Sequence, residues 1–96
     1  MPERIEINEE KLDKIILSIK KLENALDMFE HVSKEIIDVN EYYGSREWFE
    51  DKEKLEKGEI KNIKAGVLSE DAVWNVNEEI NELKKKMQKL SLKKLV

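Results

Sequence analysis

The side chains best equipped for chemistry in this chain are His31, its single histidine, and two carboxylates near it, Asp27 and Glu35. Each carboxylate stands four residues from the histidine, so on a helix the three would share one face, a spacing that could hold a divalent metal. The surrounding apolar residues place that face opposite the side a helix would bury, where a histidine among acids is solvated. Met28 occupies the position at which a di-iron bundle would need the Glu of a Glu-x-x-His pair. The chain has no Cys, which removes thiolate nucleophiles, disulfides and cysteine metal ligands. No glycine-rich phosphate loop is present, and no spacing sets a base beside a nucleophile or two carboxylates across a cleft. The residues therefore predict no enzyme, no catalytic residue, no metal, no cofactor and no small-molecule ligand. A hydrolase or metal protein using the carboxylates near Trp48 is the weakest alternative.

Two other groupings could bind rather than react. Lys84, Lys85, Lys86, Lys89, Lys93 and Lys94 could meet phosphates, which makes a small nucleic-acid-contacting regulator the alternative reading. Against it stand a formal net charge of -4 and the lack of nearby aromatics on which bases could stack. The second grouping is aromatic: Tyr42, Tyr43, Trp48, Phe49 and Trp74 are five of the six aromatic residues in the chain. Such rings either build a small core or form a patch for a protein partner, since Tyr and Trp dominate interface hot spots.

Positioning these groups falls to helices. Leu12, Ile15, Ile19, Leu22, Leu26, Phe29, Ile36 and Tyr43 recur at alternating spacings of three and four, interrupted only by Ser33 and Asn40. Ile16 and Ile37 widen this seam on one flank, and Ala25, Val32 and Val39 on the other, more than a two-stranded coiled coil needs. The pattern predicts a long helix from about residue 8 to 43, with Asn8 as N-cap and Gly44 as the left-handed stop. Pro2 offers an earlier start. Ser45 predicts the cap of a short helix at about 46–57, and 58–68 reads as a connector pinned by a few apolar residues among Ile60, Ile63, Val67 and Leu68. Ser69, followed by Glu70 and Asp71, predicts the cap of a second long helix over about 70–92, whose seam is Val73, Val76, Ile80, Leu83, Met87 and Leu90.

Charge favours an antiparallel arrangement of the two long helices, because the lysines of the second would then lie towards Glu3, Glu6, Glu9, Glu10 and Asp13 of the first. The fold expected is all-α: one domain over 1–96, an antiparallel hairpin of two long helices with a short helix in the connector, bundle or coiled-coil-like. The second long helix is too short to cover the first, which predicts a protein partner and self-association into a homo-oligomer. With no apolar run long enough to span a bilayer and an acidic N-terminal stretch unlike a signal peptide, a cytoplasmic protein without membrane contact is expected.

Two segments carry a further signal: Tyr42-Tyr43-Gly44-Ser45 followed by Trp48, and Gly66-Val67-Leu68-Ser69-Glu70-Asp71 followed by Trp74 and Asn75. Together with the long helices on either side, they resemble a family of small, mostly bacterial proteins catalogued only as a domain of unknown function. The chain departs from that pattern in lacking a Pro before Gly66 and in carrying Trp74 where a Tyr is more usual. The resemblance implies no activity or cofactor. It directs attention to the turns, so Tyr42, Tyr43, Trp48, Phe49, Trp74 and Asn75 are the candidate partner-binding residues.

Overall fold

A computed structural model describes residues 2–96, which form three α-helices, one 3₁₀ turn and no strand. Met1, the first residue of the expected domain, lies outside the described residues. The helices are α1 (Pro2–Tyr42), α2 (Arg46–Glu56) and α3 (Ala72–Ser91), and the 3₁₀ turn is Gly66–Leu68. The protein is all-α. Its chain divides into two units, a first ending at Ile36 and a second covering residues 37–96.

Helix α1 begins at Pro2, not at Asn8. Proline's fixed φ suits the first helical position, and Glu3 places a carboxylate at the positive end of the dipole. Asn8 lies inside the helix, where its side-chain amide donates to the Arg4 carbonyl at 2.7 Å. Once a helix is nucleated each added residue costs little, and residues 3–7 contain nothing to stop it. At the other end Gly44, at φ +77°, turns the chain out of the helix, and the Ser45 N–H donates to the Tyr42 carbonyl at 2.9 Å.

Ser45 sits in extended backbone and its hydroxyl accepts from the Trp48 N–H at 3.2 Å, which caps α2. That helix ends at Glu56, and Gly58, again at positive φ, reverses the chain after it. The connector is irregular until the 3₁₀ turn, which is closed by a bond from the Leu68 N–H to the Ala65 carbonyl at 3.0 Å. Of its apolar residues Leu68 is buried and Ile60 half-buried, whereas Ile63 and Val67 are exposed, so one side chain does most of the pinning. Ser69 is extended and its hydroxyl accepts from the Ala72 N–H at 3.0 Å, but it is not the cap of α3: that position falls to Asp71, whose side chain makes no capping bond. Helix α3 starts two residues later than the sequence predicts, because Glu70 and Asp71 form a turn in which the Glu70 carbonyl receives the Tyr43 hydroxyl at 2.6 Å.

In the second unit the buried apolar residues are Trp48, Leu68 and Val73, one each from α2, the 3₁₀ turn and α3. The hydrogen bonds across this unit also give the sense of the hairpin. Tyr43 reaches Glu70, and Asn40, three residues earlier, exchanges two amide bonds of 2.7 and 3.1 Å with Asn77, seven residues later. Moving back along the end of α1 corresponds to moving forward along α3, so within this unit the two helices meet antiparallel. The first unit is a stretch of α1 in which no described residue is buried, Phe29 and Ile36 being half-buried and the others exposed.

Candidate functional site

The five turn aromatics and Asn75 all fall in the second unit, where consecutive tyrosines brace different elements. Residues 42 and 43 project about 100° apart around a helix, so they cannot serve the same neighbour. The Tyr42 hydroxyl donates to Asp51 Oδ2 at 2.6 Å, tying the end of α1 to the middle of α2. The Tyr43 hydroxyl ties the same end to the turn before α3.

Between these braces lies Trp48, only 4% exposed. Its indole N–H donates to the Val67 carbonyl at 2.9 Å, so the ring is buried without leaving its one polar atom unpaired. Tyr43 and Phe49 both meet it edge to face, with ring centroids 5.2 and 4.9 Å away. The Lys52 ammonium stands 5.1 Å from the Trp48 ring centroid and 2.9 Å from Glu70 Oε1. A single lysine one turn along α2 thus joins a cation–π contact to an ion pair. Sequence reasoning singled out neither Lys52 nor Asp51; each is one of many charged residues, and only the fold shows which of them face the rings.

The remaining candidates are placed differently. Phe49 lays one side on Trp48 yet is 60% exposed, and Trp74 is 58% exposed although its neighbour Val73 is buried. Asn75 is exposed too, with its backbone N–H bonded to the Asp71 carbonyl at 2.8 Å. The cluster therefore separates into an inner group, Tyr42, Tyr43 and Trp48, and an outer group, Phe49, Trp74 and Asn75.

One titration at the corner departs from its ordinary value. The Tyr42 phenol is pushed up to about 12, first by its hydrogen bond to Asp51, then by burial and by the Asp51 charge. Each makes the phenolate harder to form, so Tyr42 is held as a hydrogen-bond donor. This is the setting of a structural brace: the phenol gives its proton to no base at neutral pH.

The model of the family described as "Domain of unknown function (DUF4298)" matches residues 5–90. The chain belongs to this family. No curated protein and no solved structure matches it. The DUF4298 match runs from the first unit through α2, the connector and nearly all of α3, and so takes in the whole aromatic corner.

Away from the corner, the other groups with chemical potential are held in ordinary ways. His31 Nδ1 lies 2.8 Å from the Asp27 carbonyl, an acceptor only, so that nitrogen carries a proton and donates back to its own helix. Among the described residues no three His, Asp or Glu are grouped as a metal would require. Lys85 pairs with Glu82 at 3.3 Å on the exposed surface of α3. No described helix is long and apolar enough to cross a membrane.

Proposed function

We propose that this protein is a self-associating helical module of the cytoplasm, one that acts through protein–protein contacts and carries out no catalysis. The observation that supports this reading is the exposure of the α1 seam: Leu12, Ile15, Ile19, Leu22 and Leu26 are each between 45 and 59% exposed. They stand on one helical face, spaced as a partner helix requires. Fully burying a Leu or Ile side chain contributes about 1.5 to 3 kcal/mol, so covering the half of each that remains exposed is worth several kcal/mol. Apolar residues scattered singly over a surface mean little, whereas a continuous row of five is what a contact surface looks like.

The outer group of the corner, Phe49, Trp74 and Asn75, is the second surface through which this module would meet a protein. Tyr42, Tyr43 and Trp48 hold it in shape. Sedimentation of the intact chain tests the reading: the molar mass should rise with concentration, and a stable monomer at tens of micromolar would remove the self-association. Trp74→Ala addresses the second surface, since it should leave the melting of the fold nearly intact while weakening capture of a partner.

A further inference from the structure

Two polar residues interrupt the seam of the first unit, and both bond to their own helix. The Ser33 hydroxyl donates to the Glu30 carbonyl at 2.6 Å, so covering it strands no O–H. Asn8 donates one amide N–H to the Arg4 carbonyl at 2.7 Å, and its side-chain carbonyl and second N–H can pair with another amide across an interface. Covering the seam from Ile5 to Ile36 therefore strands no polar side chain; its apolar residues up to Leu26 are exposed, and Phe29 and Ile36 are half-buried. In heptad terms Ile5, Leu12, Ile19, Leu26 and Ser33 occupy one core position, and Asn8, Ile15, Leu22, Phe29 and Ile36 the other.

The flanks of this seam carry unlike charge. On one side stand Arg4, Lys11, Ser18, Ala25 and Val32; on the other stand Glu9, Ile16, Glu23 and Glu30. In a parallel, in-register pair each residue of the first flank faces the partner residue five positions on. Arg4 then meets Glu9 of the second copy, Lys11 lays its aliphatic stem on Ile16, and no acid faces an acid. Asn8 and Ser33 each meet their own counterpart. An antiparallel pair keeps polar residues together in one register alone, with Asn8 opposite Ser33. That register turns the acidic flank on itself and sets Glu9 against Glu30 twice.

We propose that the seam from Ile5 to Ile36 is occupied by the same seam of a second copy, parallel and in register. This rests on the self-association proposed above and adds the occupant, its direction and its alignment. The absence of Cys makes it directly testable in the full chain. Asn8→Cys and Ser33→Cys, made separately, place a thiol in a core layer of the pair, whereas Asn24→Cys places one on the far face. Under mild oxidation each of the first two should form disulfide-linked dimers at least about ten-fold faster than Asn24→Cys, because residues facing each other in a core layer lie within disulfide reach. Two positions guard against one variant failing to fold, with helicity checked by circular dichroism. Dimers that form only when Asn8→Cys and Ser33→Cys are mixed would overturn the parallel arrangement in favour of the antiparallel one. Rates no faster than Asn24→Cys at both positions would overturn the seam as the contact. Sedimentation of the unsubstituted chain separates the two claims: association without seam cross-linking defeats this arrangement alone, and a monomer defeats both.

Discussion

Two tryptophans meet opposite surroundings in the second unit, and their replacement should show it. Trp48 is buried, hydrogen-bonded to Val67 and flanked by two rings and an ammonium group. Trp48→Ala should cost about 3 to 5 kcal/mol in urea denaturation, the range for removing a buried aromatic side chain. Trp74 is mostly exposed. Trp74→Ala should change stability by about 0.5 kcal/mol or less, as surface substitutions do. Equal costs for the two would contradict the division into inner and outer rings. A second prediction at a single side chain concerns Tyr42. Its phenol titrates at about 12 in the folded protein against an ordinary 10.0, so the folded state holds this proton more tightly than the unfolded chain does. The brace to Asp51 is accordingly at full strength below about pH 10 and is lost as pH rises through about 12. Asp51→Ala should bring the Tyr42 titration, followed by tyrosinate absorbance, back towards 10.0. An unchanged titration would mean that the hydrogen bond is not its cause.

Among the elements, the corner depends on two short signals just before α2. Ser45 supplies the cap that pairs with the Trp48 N–H, and Ser45→Ala should cost about 1 kcal/mol, as loss of a serine cap does. Gly44 is at φ +77°, and a Cβ there would meet nothing within 4 Å. Gly44→Ala therefore brings no clash, and its cost, about 1 to 2 kcal/mol, is that of holding an L-residue in left-handed backbone. Equilibrium denaturation of both variants checks the pair; Gly44→Asn should recover part of the loss, because Asn tolerates that conformation better. Asn62 at φ 60° shows this chain already placing an asparagine there.

Taken over all the described residues, burial is small for a chain of 96: Trp48, Leu68 and Val73 are the buried apolar residues. So little buried core gives a small stability reserve, and association adds to it by mass action. Under the proposed self-association the thermal midpoint should rise with protein concentration. Leu22→Asp, which puts a charge in the middle of the seam, should abolish that dependence. A midpoint independent of concentration in the unsubstituted chain would tell against self-association as a source of stability.

Helix type and helix ends are largely legible from local signals, since capping, the positive φ at Gly44 and the seam periodicity each involve residues a few positions apart. Ser45 makes its expected capping bond, whereas the cap position of α3 is Asp71 and Ser69 lies in the turn before it; α1 ends at Tyr42, one residue before the predicted end, because Tyr43 already belongs to the turn that Gly44 completes. Asn8 is the local signal that misleads. It has the side chain of a cap, but a helix already running from Pro2 absorbs it and turns its amide back on Arg4. The candidate site is legible only as a set of ring-bearing residues near two turns.

Backbone preference and side-chain period suffice to make the chain helical, to locate its turns and to choose the apolar face of α1, so these can be read from the residue order. Packing settles the rest: Trp48 is inside and Trp74 outside, Tyr42 serves α2 while Tyr43 serves the turn before α3, and Lys52 and Asp51 are the charges that meet the rings. The two tyrosine braces join residues 9 and 27 positions apart, a geometry that no local preference encodes.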